Sequence, residues 1–170
     1  MWINYLKNFK GSGKLMIIIG SDHTGIELKK KIISYLYEKK IEYADVTNFE
    51  NQDGDDYPDI AKIICTKVLE GSSNLGIAIC GTGIGISIAC NKIRGIRAAV
   101  CTDEYMAEMT RKDNNANVLC LGSRLKKFEK IENIIPIIDA FINEFYNGGR
   151  HERRLQKIRE LEDMYLKGGM

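Results

Sequence analysis

Short apolar runs alternate with longer amphipathic segments along most of the chain. Apolar runs of strand length, set between helical segments, predict buried β-strands. Because strands joined by helices form parallel βαβ crossovers, the pattern predicts an α/β fold with an open, parallel sheet covered on both faces. The five predicted strands are LMIIIG (15–20), EYADVTNF (42–49), NLGIAIC (74–80), IRAAVC (96–101) and NVLCLG (117–122).

The segments between these runs have helical periodicity. They are GIELKKKIISYLYEKK (25–40), PDIAKIICTKVLEG (58–71), GISIACNKI (85–93), DEYMAEMTRKDN (103–114) and IENIIPIIDAFINEFY (131–146). The first is predicted to bury a stripe of Ile26, Ile33, Leu36 and Tyr37. The last is expected to kink at Pro136, because proline lacks an amide hydrogen. A final segment, 152–166, is so polar that we expect it on the surface or against a partner subunit.

Length and composition limit the classes of protein to which the chain can belong. A chain of 170 residues suits one domain, which we expect over residues 15–170, with a flexible leader at 1–14. No apolar run approaches the ~20 residues of a membrane span, and no secretory signal is present. Five cysteines without CxxC spacing predict free thiols in a reducing cytoplasm, and two histidines argue against a histidine-based metal site. The net charge of +2 excludes neither nucleic acids nor acidic small molecules.

Polar residues follow three of the predicted strands. Ligands of open α/β sheets bind beyond the carboxyl ends of the strands, so these residues are the first candidates for chemistry. The three strand ends are Gly20-Ser21-Asp22-His23, Cys80-Gly81-Thr82 and Gly122-Ser123-Arg124.

The stretch ICGTGIGISIACNK (79–92) combines a glycine loop with a cysteine. Its G-x-G-x-G spacing after the third strand matches a dinucleotide-binding fingerprint only weakly. Its backbone amides at a helix start are suited to an anion or a developing oxyanion, and the alternative is a plain strand-to-helix turn. Beside such a loop a thiol ionises more readily than in water, so Cys80 is a candidate nucleophile or carbon-acid base. The competing interpretation is an inert buried cysteine.

Three further features have both a functional and a structural interpretation. Asp22 is either a ligand or a helix N-cap, and the adjacent His23 is harder to explain by structure alone. Arg150 and Arg154, at i and i+4, share one helix face and suit a phosphate, although a solvated charged helix is the alternative. Nucleic-acid binding is disfavoured, because no aromatic residues are interleaved with the basic ones.

The motifs GSDHTGIELK, DYPDIA, CGTGIGISIACNK, NANVLCLGSR and FYNGGRHERR resemble those of the type B ribose-5-phosphate isomerases and the galactose-6-phosphate isomerase subunits. The resemblance covers residues 16 to 162. It implies a Rossmann-like three-layer α/β/α sandwich that converts ribose 5-phosphate to ribulose 5-phosphate in the non-oxidative pentose phosphate pathway. It also implies a homodimer or homotetramer with sites at the dimer interface, no metal and no cofactor.

The resemblance also assigns roles to residues of this sequence. Cys80 would be the base that moves a proton between C1 and C2, with Thr82 and the amides of the glycine loop stabilising the enediolate. Asp22 and Tyr57 would contact sugar hydroxyls, and Asn114 the reacting end. The loop residues are Gly81, Gly83, Ile84 and Gly85. The implied phosphate-binding set is His23, Arg124, Arg150, His151 and Arg154, some of them reaching across from the neighbouring subunit.

One position departs from the family pattern. Many members carry a histidine proposed to open the sugar ring where this chain has Asp113. Ring opening and the identity of the sugar are therefore open, and Asp113 is retained as a candidate catalytic residue. The alternatives are an isomerase of allose 6-phosphate, galactose 6-phosphate or a similar aldose, a nucleotide- or flavin-binding module, and an inactive regulatory or scaffold subunit.

Overall fold

The computed structural model describes residues 14–47 and 56–167. These residues form a sheet in the order β2-β1-β3-β5-β4, in which each neighbouring pair of strands is parallel. The predicted five-stranded parallel sheet is therefore confirmed. The strands are β1 (Ile17–Ser21), β2 (Tyr43–Asp45), β3 (Leu75–Cys80), β4 (Ala98–Val100) and β5 (Val118–Gly122).

Six helices flank the sheet within the described residues, and they divide the core into two layers. Alternate residues of a strand point to opposite faces, so Ile17 and Ile19 join one apolar cluster and Ile18 joins the other. Helices α1, α4 and α5 pack on the first face, and α2 and α3 on the second. The helices are α1 (Ile26–Glu38), α2 (Tyr57–Leu69), α3 (Ile84–Cys90), α4 (Glu104–Asn114), α5 (Ile135–Asn143) and α6 (Arg150–Lys167).

The buried face of α1 differs from the predicted stripe. Ile26 and Tyr37 are exposed, and Ile33 is only partly buried. The residues that face the sheet start at Leu28 and follow the helical spacing i, i+4, i+7 and i+8. The apolar residues on this face are Leu28, Ile32, Tyr35 and Leu36. The prediction therefore identified the helix correctly but, except for Leu36, chose the wrong side.

The predicted kink at Pro136 is also wrong. Pro136 lies in the first turn of α5, and a separate 3-10 turn, Ile131–Asn133, precedes it. The first turn suits proline because the amide it lacks has no partner inside the helix there. As predicted, α6 is largely exposed, although Leu155 is buried.

Two predictions fall on residues that the structure covers only in part. The leader proposed at 1–14 lies outside the described residues except for residue 14, and the strand predicted at 42–49 is described only up to Thr47. Across 14–47 and 56–167, no helix is long and apolar enough to cross a bilayer.

Candidate functional site

The carboxyl ends of β1, β3 and β5 meet at one edge of the sheet, because these strands are neighbours in it. Backbone hydrogen bonds tie the segments that follow them. The Asp22 amide donates to the Ile79 carbonyl at 3.1 Å, and the Arg124 amide donates to the Gly81 carbonyl at 2.9 Å. The structure therefore brings the three polar strand ends together, and we call this region the carboxyl edge.

Cys80 is the last residue of β3 and lies at the centre of the carboxyl edge. Only 4% of it is exposed, and the Gly83 amide donates a hydrogen bond to its Sγ at 3.2 Å. The glycine loop thus folds back over the thiol. The sulfur acts as a hydrogen-bond acceptor at the point where the loop turns into α3.

The other four cysteines lie in the core and are all free. For one of them, Cys101, burial and the nearby Asp103 raise the pKa of the thiol to about 12. Such a thiol stays protonated at neutral pH and cannot accept a proton from a substrate. Cys80 is the cysteine that ends a strand at the carboxyl edge.

The glycine loop requires glycine at two points. Gly83 has a φ of +78°, in the left-handed region that side chains rarely adopt. Gly122 of β5 passes so close to the loop that a Cβ there would lie 2.6 Å from the backbone of Thr82. Two glycines from different elements therefore allow the loop to pack directly against the end of β5.

Asp22 and Tyr57 border the same loop. The Asp22 carboxylate is buried, and its Oδ1 accepts bonds from the Thr24 amide at 2.9 Å and the Thr24 hydroxyl at 2.6 Å. Asp22 therefore does cap the following 3-10 turn, as one interpretation of the sequence expected. The ring of Tyr57 lies over Gly85, where a Cβ would approach it to 2.9 Å. His23, Thr82 and Arg124 are exposed beside them.

The remaining candidate residues lie at the opposite edge of the sheet. Helix α4 leaves β4 at the carboxyl edge and returns to the start of β5, so Asp113 and Asn114 lie near the amino ends of the strands. A strand of five residues spans roughly 17 Å. Within one chain, Asp113 and Cys80 therefore cannot touch the same small sugar.

The start of α6 packs against the end of α4. His151 Nε2 lies 3.4 Å from Asp113 Oδ1 and accepts a hydrogen bond from Arg150 Nε at 3.2 Å. His151 is only 6% exposed, and its Nδ1 has no hydrogen-bond partner among the described residues. Arg150 and Arg154 are both exposed. Asp113, Asn114, Arg150, His151 and Arg154 thus form a second group, which we call the amino-edge group.

The sequence profile of the ribose/galactose isomerase family matches residues 17–158, which is most of the chain. The match includes every candidate residue of both groups, from Asp22 to Arg154. The chain belongs to the ribose/galactose isomerase family.

Similar proteins agree with this assignment. The chain is 41% identical to ribose-5-phosphate isomerase B of Escherichia coli over 86% of its own length and 95% of that protein. It is 43% identical to a probable ribose-5-phosphate isomerase B of Mycoplasma pneumoniae, over 84% and 91% of the two chains. A crystal structure of ribose-5-phosphate isomerase B from Mycoplasma genitalium with bound ribulose 5-phosphate superposes with a TM-score of 0.80, at 42% identity, over 88% of this chain and 97% of that one.

The strand end Gly122-Ser123-Arg124, which the sequence predicted, also contacts Cys80, because the Ser123 hydroxyl donates to the Cys80 carbonyl at 3.1 Å. Sequence reasoning missed Lys29 and Thr47, which are buried behind Ser21. No signal in the sequence pairs Lys29 with Thr47, because they lie in different elements and meet only in the fold.

Proposed function

We propose that this isomerase interconverts ribose 5-phosphate and ribulose 5-phosphate through an enediolate, with Cys80 as the base. The observation that carries the proposal is the Cys80 sulfur at the end of β3, held 3.2 Å from the Gly83 amide inside a glycine loop. The similarity to an enzyme crystallised with ribulose 5-phosphate supports the choice of sugar.

The chemistry assigned to Cys80 is a proton transfer between neighbouring carbons. Its thiolate takes the proton from C2 of the open-chain aldose, and the electron pair moves onto the carbonyl oxygen at C1. A proton then passes from the oxygen on C2 to the oxygen on C1. The thiol returns its proton to C1, and the ketose carbonyl forms at C2. A positioned base of this kind contributes about 10²- to 10⁴-fold.

The glycine loop is proposed to hold the enediolate oxygens. Thr82 and the loop amides, from Gly81 to Gly85, surround the end of β3, and preorganised donors of this kind contribute about 10²- to 10³-fold each. Asp22 is proposed to use the oxygen that does not cap Thr24 for a sugar hydroxyl. The Tyr57 hydroxyl is proposed to contact a second one.

The amino-edge group is proposed to act on the sugar of a second copy. Asp113 and Asn114 would face the reacting end of the sugar, and Arg150 and Arg154 would join the other copy's His23 and Arg124 around the phosphate. The separation of the two edges within one chain supports this arrangement. A two-fold dimer places each amino-edge group at the other chain's carboxyl edge and forms two identical sites.

The exposed face of α6 supports the same arrangement. On a helix, Arg150, Arg154, Ile158, Leu161 and Tyr165 lie within about 80° of one another. The three apolar members are exposed, Tyr165 by as much as 77%. We propose that a second copy covers this stripe, so that its carboxyl edge lies against the two arginines.

Because all five cysteines are free, we further place the enzyme in a reducing compartment, the cytoplasm.

The proposal is tested by NMR with purified protein and separate samples of ribose 5-phosphate, allose 6-phosphate and galactose 6-phosphate in deuterated water. We expect ribose 5-phosphate to give ribulose 5-phosphate with deuterium at C1, because the thiol exchanges its proton with solvent. Faster conversion of either hexose phosphate would overturn the choice of sugar. Absence of any conversion would overturn the proposed activity.

A further inference from the structure

Lys29 is a buried cation that the proposed reaction leaves without a role. It lies in the second turn of α1 and is only 5% exposed. Burying an ammonium group is costly unless its protons find acceptors. Lys29 meets that condition in full, since it contacts the Asp45 carboxylate at 2.8 and 2.9 Å and donates to the Thr47 carbonyl at 2.8 Å and hydroxyl at 3.2 Å.

The hydrogen bonds of Lys29 lie at the point where the pairing of β1 with β2 ends. The backbone bonds between the two strands extend as far as the Val46 amide, which donates to the Ile19 carbonyl at 2.9 Å. The next donor of β1, the Ser21 amide, instead donates to the Thr47 hydroxyl at 2.9 Å. The end of β1 is therefore held by a side chain, and the orientation of that side chain depends on Lys29.

Asp22 follows Ser21 directly, so the position of one depends on the other. We infer that Lys29, acting through Thr47, is a positioning residue that sets where Asp22 stands at the carboxyl edge. The inference rests on the proposed function, in which Asp22 contacts a sugar hydroxyl. It predicts that the Thr47 hydroxyl is needed for activity although it touches no substrate.

Thr47→Val and Thr47→Ser form the sharpest pair of variants. Valine keeps the shape of threonine but removes the hydroxyl, whereas serine keeps the hydroxyl. With valine we expect faster hydrogen exchange at the Ser21 amide and a fall of about 10- to 100-fold in kcat/KM, since a displacement of ~1 Å remote from the chemistry can cost about 100-fold. With serine we expect both quantities to stay close to those of the wild type.

The Lys29 side of the network is tested with Lys29→Met combined with Asp45→Asn. This pair leaves no unpaired charge, and the asparagine oxygen still accepts from the Thr47 amide, which donates to Asp45 at 3.1 Å in the wild type. We expect the same two effects as with Thr47→Val. Lys30→Met is the control, because Lys30 is exposed on the same helix and pairs only with Glu27 among the described residues. It should leave exchange and activity unchanged.

Coupling to Asp22 separates positioning from general stability. If Lys29 and Thr47 act through Asp22, Thr47→Val should cost little further activity in an Asp22→Asn background. Full additivity of the two losses, or a fully active Thr47→Val enzyme, would overturn the inference. An inactive wild type would instead contradict the proposed function. In that case, an unchanged Ser21 exchange rate in Thr47→Val would still refute the structural link.

Discussion

Cys80 has a place in the candidate site because three local features coincide at one residue. It ends a central strand, a glycine loop follows it, and the Gly83 amide points at its sulfur. The sequence showed the first two features directly. The third depends on the positive φ of Gly83, which the glycine permits but does not by itself require.

Replacement of Cys80 tests its role most directly. We expect Cys80→Ala to lose nearly all turnover and to incorporate no deuterium at C1 of the product, because the proposed base is then missing. The variant should stay folded, with a modestly lowered melting temperature. The control is Cys65→Ala, which removes a sulfur atom from the same apolar cluster and should lower the melting temperature by a similar amount while turnover persists. Residual Cys80→Ala activity within tenfold of wild type would refute the assignment.

Asp113 presents a different question, because a carboxylate stands where the family resemblance implies a histidine. If Asp113 accepts the proton of the anomeric hydroxyl, Asp113→Ala can use only sugar that has already opened in solution. Consumption of ribose 5-phosphate should then stop rising with enzyme concentration, once spontaneous ring opening limits it. Conversion of ribulose 5-phosphate, which cannot close a furanose ring, should remain proportional to enzyme.

Enzyme titrations in both directions measure this difference. Asn114→Ala is the comparison variant, because the resemblance assigns it to the reacting end and not to ring opening. It should lower both rates but keep them proportional to enzyme. If consumption of ribose 5-phosphate by Asp113→Ala also stays proportional to enzyme at every concentration, Asp113 does not open the ring.

At the scale of elements, periodicity predicted the order and type of every described strand and of the helices. It did not predict which face of α1 is buried, because three consecutive lysines precede two consecutive isoleucines there and one of the lysines, Lys29, faces inwards to reach Asp45. Nor did it predict that α5 begins at Ile135, with Pro136 in its first turn. Local propensity decides where a helix forms, whereas tertiary contacts decide which side is buried.

The close approach of β5 to the glycine loop leads to a prediction about these two elements. A Cβ at residue 122 would lie 2.6 Å from the backbone of Thr82, so Gly122→Ala must push the loop away from the strand. We expect a loss of about 1–3 kcal/mol in the free energy of unfolding, as for other overpacked sites, and a larger proportional loss of activity. Chemical denaturation and steady-state kinetics measure the two effects.

Gly71→Ala is the matched control for this change. The three atoms nearest to a Cβ there, at 2.9 to 3.0 Å, all belong to the side chain of Asn74, which is able to move away. Both stability and activity should stay near those of the wild type. If Gly122→Ala behaved in the same way, direct packing of β5 on the loop would not be needed to hold the site together.

At the scale of the whole molecule, the direction of α4 divides the candidate site. A helix that joins parallel strands must return to the amino edge, so residues at its two ends lie far apart. The order of strands and helices along the sequence already implied that Asp113 and Cys80 lie at opposite edges of the sheet. The contact of His151 with Asp113, by contrast, joins α6 to α4 and required the structure.

This division predicts that one chain is inactive by itself. Replacing Leu161 and Tyr165 with serine should weaken the proposed dimer, because both side chains lie on the face of α6 that carries Arg150 and Arg154. We expect sedimentation to show dimers for the wild type and monomers for the variant at the same concentration, and activity should fall in parallel. Serine at Tyr37, which is equally exposed on α1, is the control. A fully active monomer would contradict the shared site.

The separation of the two edges also has a consequence for inheritance. A chain lacking Cys80 still carries a complete amino-edge group, and a chain lacking Arg154 still carries a complete carboxyl edge. If the chain forms the proposed dimer and the two defective chains are produced in one cell, random pairing makes half of the dimers mixed, and each mixed dimer holds one intact site. About a quarter of the normal number of sites is thereby restored. Two alleles that are each without activity would complement one another, whereas two alleles altered at the same edge would not.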